Sequence, residues 1–336
     1  MNLEGRTRKF LEELAALGGP PLQKRPVPDA RKFLRDAQAR PVALAPADIE
    51  RRTIAVGPTG ETRLVLVRPG NRAEVLPAVV YLHGGGWILG DWQTHERLVR
   101  ELAASIPALV VFVDYEPSPE QRFPVGVMQA YEAARWIGEH AEELHIDPAR
   151  LAVCGDSAGG QMAAAVTLLA KERGGPSLAG QVLFYPVTDA NLDTASYQEF
   201  ANQLNLTRDA MAWFWDAYVP DEADRLNPLA APLQASLEQL RGLPPALVIT
   251  GENDVLRDEG EAYARKLAEA GVAVTAVRYL GTVHDFVMLN ALAETPAAMG
   301  ATAQAANWLK RTFDRVSRPG TITMLEEEQA GLNLGR

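Results

Sequence analysis

Apolar residues recur along this chain with two periods, and the switches between them outline its elements. Residues 3 to 17 place Leu3, Phe10, Leu11, Leu14 and Leu17 at helical spacing, and the pattern stops at Gly18-Gly19-Pro20-Pro21. A second short helix is expected around Asp29 to Ala39. The segments "RRTIAV" and "TRLVLVRP" flank the turn signal "GPTGE" and read as strands. Six further strand-like runs follow: "AVVYLH", "ALVVFVDY", "RLAVCG", "GQVLFYPV", "PALVITG" and "AVTAVRYL". Helix-like stretches fall between or after them, at about 94–105, 124–140, 158–172, 256–270 and 297–315. Such alternation predicts βαβ units and a mostly parallel eight-stranded sheet. The runs are almost continuously apolar, as strands covered by helices on both faces should be.

Two segments stand outside the alternation. One is the helical arm at 1–45. The other, at 190–225, is rich in aromatics: Tyr197, Phe200, Trp213, Phe214, Trp215 and Tyr218. The expected organisation is therefore an α/β core at 46–189 and 226–316, two helical segments outside it, and a C-terminal tail at 317–336.

Composition narrows the classes of function. The chain has 336 residues, 47% of them hydrophobic, enough for a full core. Its net charge of −10, with no basic cluster, argues against a nucleic-acid or other phosphate-binding surface. The single cysteine, Cys154, rules out an internal disulfide framework, and its apolar setting reads as a packed core thiol. No apolar run reaches the roughly 18 residues of a membrane helix, and the N-terminus has no signal-peptide pattern. A cytoplasmic location is expected. Asn205-Leu206-Thr207 fits a glycosylation acceptor, which carries no weight without secretion.

The candidate chemistry lies at strand ends, where open α/β sheets bind ligands. Gly155-Asp156-Ser157-Ala158-Gly159 matches the nucleophile elbow G-x-S-x-G: its glycines allow a tight strand-to-helix turn that exposes the serine. A serine at neutral pH needs a base. Of the five histidines, His140 and His145 sit in the charged stretch "GEHAEELHID" and read as solvated, while His95 has no obvious partner. His284 follows the strand "VTAVRYL", and Asp254 follows "PALVIT" at the same edge. The order Ser157, Asp254, His284 is that of an α/β-hydrolase triad. Glu252, Asp258 and Asp285 are rival acids. Asp258 suits a helix start, and Asp285 is expected to direct its side chain away. "HGGGW", after "AVVYLH", offers unobstructed N–H groups to an oxyanion, with Ala158 completing the set. The loop misses G-x-G-x-x-G, so a dinucleotide reading is weak.

From about Pro77 to Phe313 the chain resembles the bacterial hormone-sensitive-lipase family of esterases, within the α/β-hydrolase fold. The resemblance rests on "HGGGW", "VDYEPSPEQRFP", "GDSAGG", "YPVTD", "DVLRDEG" and "HDF". It implies a Ser157-Asp254-His284 triad, oxyanion donors at Gly84, Gly85 and Ala158, and a loop-bracing His83. It also implies a helical cap made of the two outlying segments, and hydrolysis of short- to medium-chain acyl esters without cofactor or metal. Family members are often dimers, so a homodimer is a possible assembly. Two departures stand near the site: "EPSPE" replaces the usual "RLAPE", and Asp285 follows His284 where glycine is common. An amidase or carbamate hydrolase would use the same triad. The gibberellin receptors, similar in sequence but lacking the catalytic histidine, are a remoter alternative because His284 is present.

Overall fold

The computed structural model describes residues 1–70, 74–202 and 205–317, so the expected tail lies outside the described residues from 318 onward. The described residues form eight strands: β1 (Ala47–Ile54), β2 (Thr62–Pro69), β3 (Leu76–Leu82), β4 (Leu109–Asp114), β5 (Ile146–Asp156), β6 (Gly180–Phe184), β7 (Ala246–Asn253) and β8 (Val274–Val283). They make one sheet in the order β1-β2-β4-β3-β5-β6-β7-β8. β2 is antiparallel to both neighbours, and all pairs from β4 across to β8 are parallel. The expected mostly parallel eight-stranded α/β-hydrolase sheet is thus the one found.

Helices α1 (Gly5–Ala16) and α2 (Val27–Gln38) precede the sheet. The core helices are α3 (Trp92–Ser105), α4 (Val125–Glu139) and α5 (Ala158–Arg173). Next come α6 (Ala195–Phe200), α7 (Arg208–Tyr218), the single turn α8 (Leu237–Leu240), α9 (Arg257–Glu269) and α10 (Pro296–Ser317). The strand period of two divides the core into two layers. On β3, Ala78, Val80 and Leu82 pack in the layer containing α4, α5 and α9. Val79 and Tyr81 pack in the other, with α3 and α10. Every residue of β3 is buried, which is why its sequence shows no polar alternation.

Cys154 on β5 is fully buried, as a core thiol should be. The aromatics of α7 join the core layer that contains α4, α5 and α9. Trp215 and Tyr218 pack on Trp87, whose ring stacks on Tyr218 at 4.1 Å. Trp87 Nε1 also donates to Gln161 Oε1 on α5 at 2.8 Å.

The start of α5 approaches the sheet unusually closely. A Cβ on Gly159 would lie 2.0 Å from the Leu82 carbonyl oxygen at the end of β3. Only a hydrogen fits there, so the helix axis is set by backbone contact. Gly159→Ala is expected to cost at least the roughly 1–3 kcal/mol of overpacking, read as a lower urea midpoint. Gly5, with open space around it, is the control position. An unchanged midpoint for Gly159→Ala would contradict the close packing.

Candidate active site

β5 ends at Asp156, and Ser157 bridges it to α5 with φ 53° and ψ −119°. A residue with a Cβ is strained there. The strain is held by backbone bonds: the Ser157 N–H donates to the Phe184 carbonyl (2.9 Å), and the Ser157 carbonyl accepts from Gln161 (3.1 Å) and Val187 (3.2 Å). A serine before a helix normally caps its free N–H groups. Ser157 makes no such bond. Its Oγ lies instead 2.9 Å from His284 Nε2.

His284 Nδ1 lies 2.7 Å from Asp254 Oδ2, and Asp254 Oδ1 accepts from the Leu256 N–H at 2.9 Å. An ionised Asp254 needs a hydrogen on Nδ1, which leaves Nε2 to accept from the serine. All three residues are buried. The chain segments carrying them are 127 and 30 residues apart and meet at one sheet edge. Asp258 is occupied elsewhere, accepting from the Ser196 N–H (2.7 Å) and Arg257 Nε (2.9 Å). Burial alone disfavours the imidazolium, but Asp254, then Asp285 and Asp156, outweigh it and hold His284 up at about 9.

Asp285 does not turn away as its position in the sequence suggested. It adopts φ 62°, in the left-handed region that aspartate tolerates, and this returns the side chain to the imidazole. Its Oδ1 lies 3.3 Å from His284 Nε2. Burial raises its carboxyl to about 6, against the pull of His284.

The glycine loop also departs from expectation. The Gly84 N–H donates to Asp156 Oδ1 at 3.1 Å, so it is not available to an oxyanion. Gly85 and Gly86, in contrast, line the cavity beside Ser157. Gly86 has φ 59°, and a Cβ there would sit 2.2 Å from the Phe214 ring. Ala158 is the first residue of α5, where an N–H has no partner within the helix. With the Gly84 N–H taken, the candidate donors beside Ser157 are Gly85 and Gly86, which line the cavity, and Ala158 at the start of α5. The clue was Asp156 within "GDSAGG": a carboxylate that ends a buried strand must claim nearby donors.

Asp156 claims three partners. Tyr81 Oη donates to Oδ1 at 2.6 Å, Gly84 to the same oxygen, and His95 Nε2 stands 3.4 Å from Oδ2. Burial alone would raise its pKa, but His95 and the Tyr81 hydroxyl bring it below the usual range. His95 is thus buried and partnered, contrary to its sequence reading. His83 stacks on Tyr115 at 4.2 Å, and its Nδ1 lies 2.8 Å from the Gly84 carbonyl. Burial, then the neighbouring His95, lowers it to about 4, so it is neutral. His140 was expected to be solvated but is half-buried and stacks on Trp136, whereas His145 is exposed.

Above the triad is a cavity of about 80 Å³, lined by Phe10 and Leu14 of α1, Phe33 of α2, and Met211 and Phe214 of α7 among others. A wider space of about 500 Å³ between α1 and α2 shares Phe10, Leu14, Phe33 and Ala37 with it. Asn205 also lines the cavity and donates through Nδ2 to the His284 carbonyl at 3.0 Å. Arg97 fixes the following loop through the Val287 and Met288 carbonyls. Among the described residues no group of three His, Cys, Asp or Glu could hold a metal ion, and no helix is long and apolar enough to cross a membrane.

Residues 79–288 match the sequence model of a family with the alpha/beta hydrolase fold. The carboxylesterase NlhH of Mycobacterium tuberculosis is 41% identical over 286 residues, covering 84% of this chain and 89% of that one. An ethyl acetate hydrolase of Pseudomonas putida is 40% identical over 223 residues, 65% of this chain and 68% of that protein. The crystal structure of a thermostable esterase from Pseudomonas putida ECU1011 superposes with a TM-score of 0.91 at 50% identity, over 93% of this chain and 98% of that one. With matching sequence, matching fold and a serine-histidine-aspartate line at the expected strand ends, the chain belongs to this hormone-sensitive-lipase-type family of α/β-hydrolases, among its carboxylesterases.

Proposed function

We propose that this carboxylesterase works through Ser157 as nucleophile, His284 as general base and acid, and Asp254 as the acid that orients it. The observation that carries the reading is the unbroken buried line from Asp254 through His284 to an uncapped Ser157 Oγ. Oγ attacks the ester carbonyl as Nε2 takes its proton, and Asp254 stabilises the imidazolium. The carbonyl oxygen, now an oxyanion, receives the N–H groups of Gly85, Gly86 and Ala158. Collapse breaks the bond to the alcohol, which leaves with the proton from Nε2, and water then releases the acid. His83, neutral and stacked, braces the glycine loop and transfers no proton.

The arm at 1–45 and the segment at 190–225 act as a cap over a core at 46–189 and 226–316. Their contributions to the cavity lining support this division. The small volume beside Ser157 supports a preference for short acyl chains, as does similarity to an ethyl acetate hydrolase.

Ser157→Ala should remain folded and lose turnover by roughly a millionfold. Intact mass after an organophosphorus ester should show one adduct on Ser157. A fully active variant would end the triad assignment.

Specificity should peak at short acyl chains. Each methylene that fits gains about 0.8 kcal/mol, and each that must displace packed side chains meets overpacking of about 1–3 kcal/mol. A p-nitrophenyl ester series measures this, and a long-chain maximum would contradict the narrow cavity.

The pH profile follows from the base form of His284. With its imidazole held at about 9 by Asp254, Asp285 and Asp156, kcat/KM should rise with pH until that proton is lost. Asp285→Gly removes one facing carboxylate and should move this limb to lower pH. A limb that stays in place would show that Asp285 does not act on the imidazole.

A further inference from the structure

One carboxylate at the site has no part in the triad. Asp285 Oδ1 is buried, lacks a hydrogen-bond donor among the described residues, and stands 3.3 Å from the atom that performs every proton transfer. Around Nε2 there are therefore two other oxygens, Ser157 Oγ at 2.9 Å and Asp285 Oδ1 at 3.3 Å. In the neutral form Nε2 and Oδ1 are both acceptors, and Ser157 carries only one hydrogen to share.

The conflict is sharpest in the acyl-enzyme. Oγ is then esterified and has no hydrogen, so Nε2 and Oδ1 face each other as acceptors in a buried site. A molecule with two hydrogens on one oxygen resolves this. Two acceptors at that separation are both reached by a single water through bonds of about 2.8 Å. We propose that Asp285 is a further catalytic residue, whose Oδ1 accepts the second hydrogen of the water that His284 deprotonates to release the acyl group.

The step balances as follows, and it rests on the triad assignment. The water O–H pointing at Nε2 breaks, its proton moves to the imidazole, and the water oxygen bonds to the acyl carbon. The tetrahedral intermediate then breaks its bond to Oγ, and the proton on Nε2 passes to Oγ. Asp285 stays an ionised acceptor throughout and exchanges no proton. With both hydrogens held, the water has a lone pair left to face the carbonyl carbon. That is an orientation effect, and misplacement of a reacting group by about 1 Å can cost roughly 100-fold.

Methanol distinguishes this role from others, because it carries one O–H and cannot serve both acceptors. Methanolysis of the acyl-enzyme needs Nε2 but gains nothing from Oδ1. The experiment measures methyl ester against free acid formed from a p-nitrophenyl ester in aqueous methanol, a ratio independent of which step limits turnover. Asp285→Gly suits the positive φ, so it relieves backbone strain and preserves the fold. In that variant the ratio of methyl ester to acid should rise roughly 10- to 100-fold. Asp285→Asn, which keeps an acceptor oxygen at the same place, should shift the ratio less. A ratio in Asp285→Gly within about threefold of the parent overturns the proposal, because a purely structural or substrate-binding role changes both products together. Failure of the triad assignment gives a different result: Ser157→Ala would then still form methyl ester.

Discussion

The site depends on holding one serine in a conformation that serine does not favour. Ser157 carries strain of order 1–3 kcal/mol at positive φ. It keeps that conformation because its N–H and carbonyl are tied to β6, to the following loop and to α5. Those ties exist only if α5 starts hard against the end of β3, which the missing side chain at Gly159 permits. The sheet, the helix start and the small residues after the serine are therefore one device. It aims a hydroxyl at His284 and away from the helix N–H groups it would otherwise cap.

The fold and the three polar residues in line were legible because each leaves a local mark. Continuous apolar runs announce buried strands, and the turns after β5, β7 and β8 each carry one residue of the expected chemistry. The order Ser157, Asp254, His284 then needed only a parallel sheet to bring its members to one edge. Dihedral signs and hydrogen-bond allocation leave no such mark. The direction of Asp285 turned on φ 62°, which a sequence does not display. That the Gly84 N–H is occupied turned on Asp156, which claims it. His95 looked partnerless because its partner is 61 residues away. The aromatics of α7 divided in a way composition could not settle: Phe214 lines the cavity, while Trp215 and Tyr218 pack on Trp87.

Asp156 links the turn that carries Ser157 to the glycine loop. It precedes the nucleophile in the chain and accepts a bond from the first glycine of the loop. A buried carboxylate with Tyr81, Gly84 and His95 around it is costly to disturb, because any partner removed leaves charge unsatisfied. Burial, then the neighbouring His95, holds His83 in its neutral form although Asp156 and the Gly84 carbonyl pull the other way, so the glycine loop carries no extra positive charge there.

Trp87 has a wider consequence. It follows Gly86 directly and carries the stack of Trp215 and Tyr218 on α7. Helix α7 and the glycine loop thus share one packing contact. If Gly86 serves the oxyanion as proposed, an ester bulky enough to tilt α7 would also turn its N–H away from the developing charge. Such a compound would occupy the enzyme while being processed slowly, behaving as a competitive ligand more than as a substrate. On that mechanism, size discrimination would act on the barrier to reaction as well as on entry, and tight binding would be no guide to turnover.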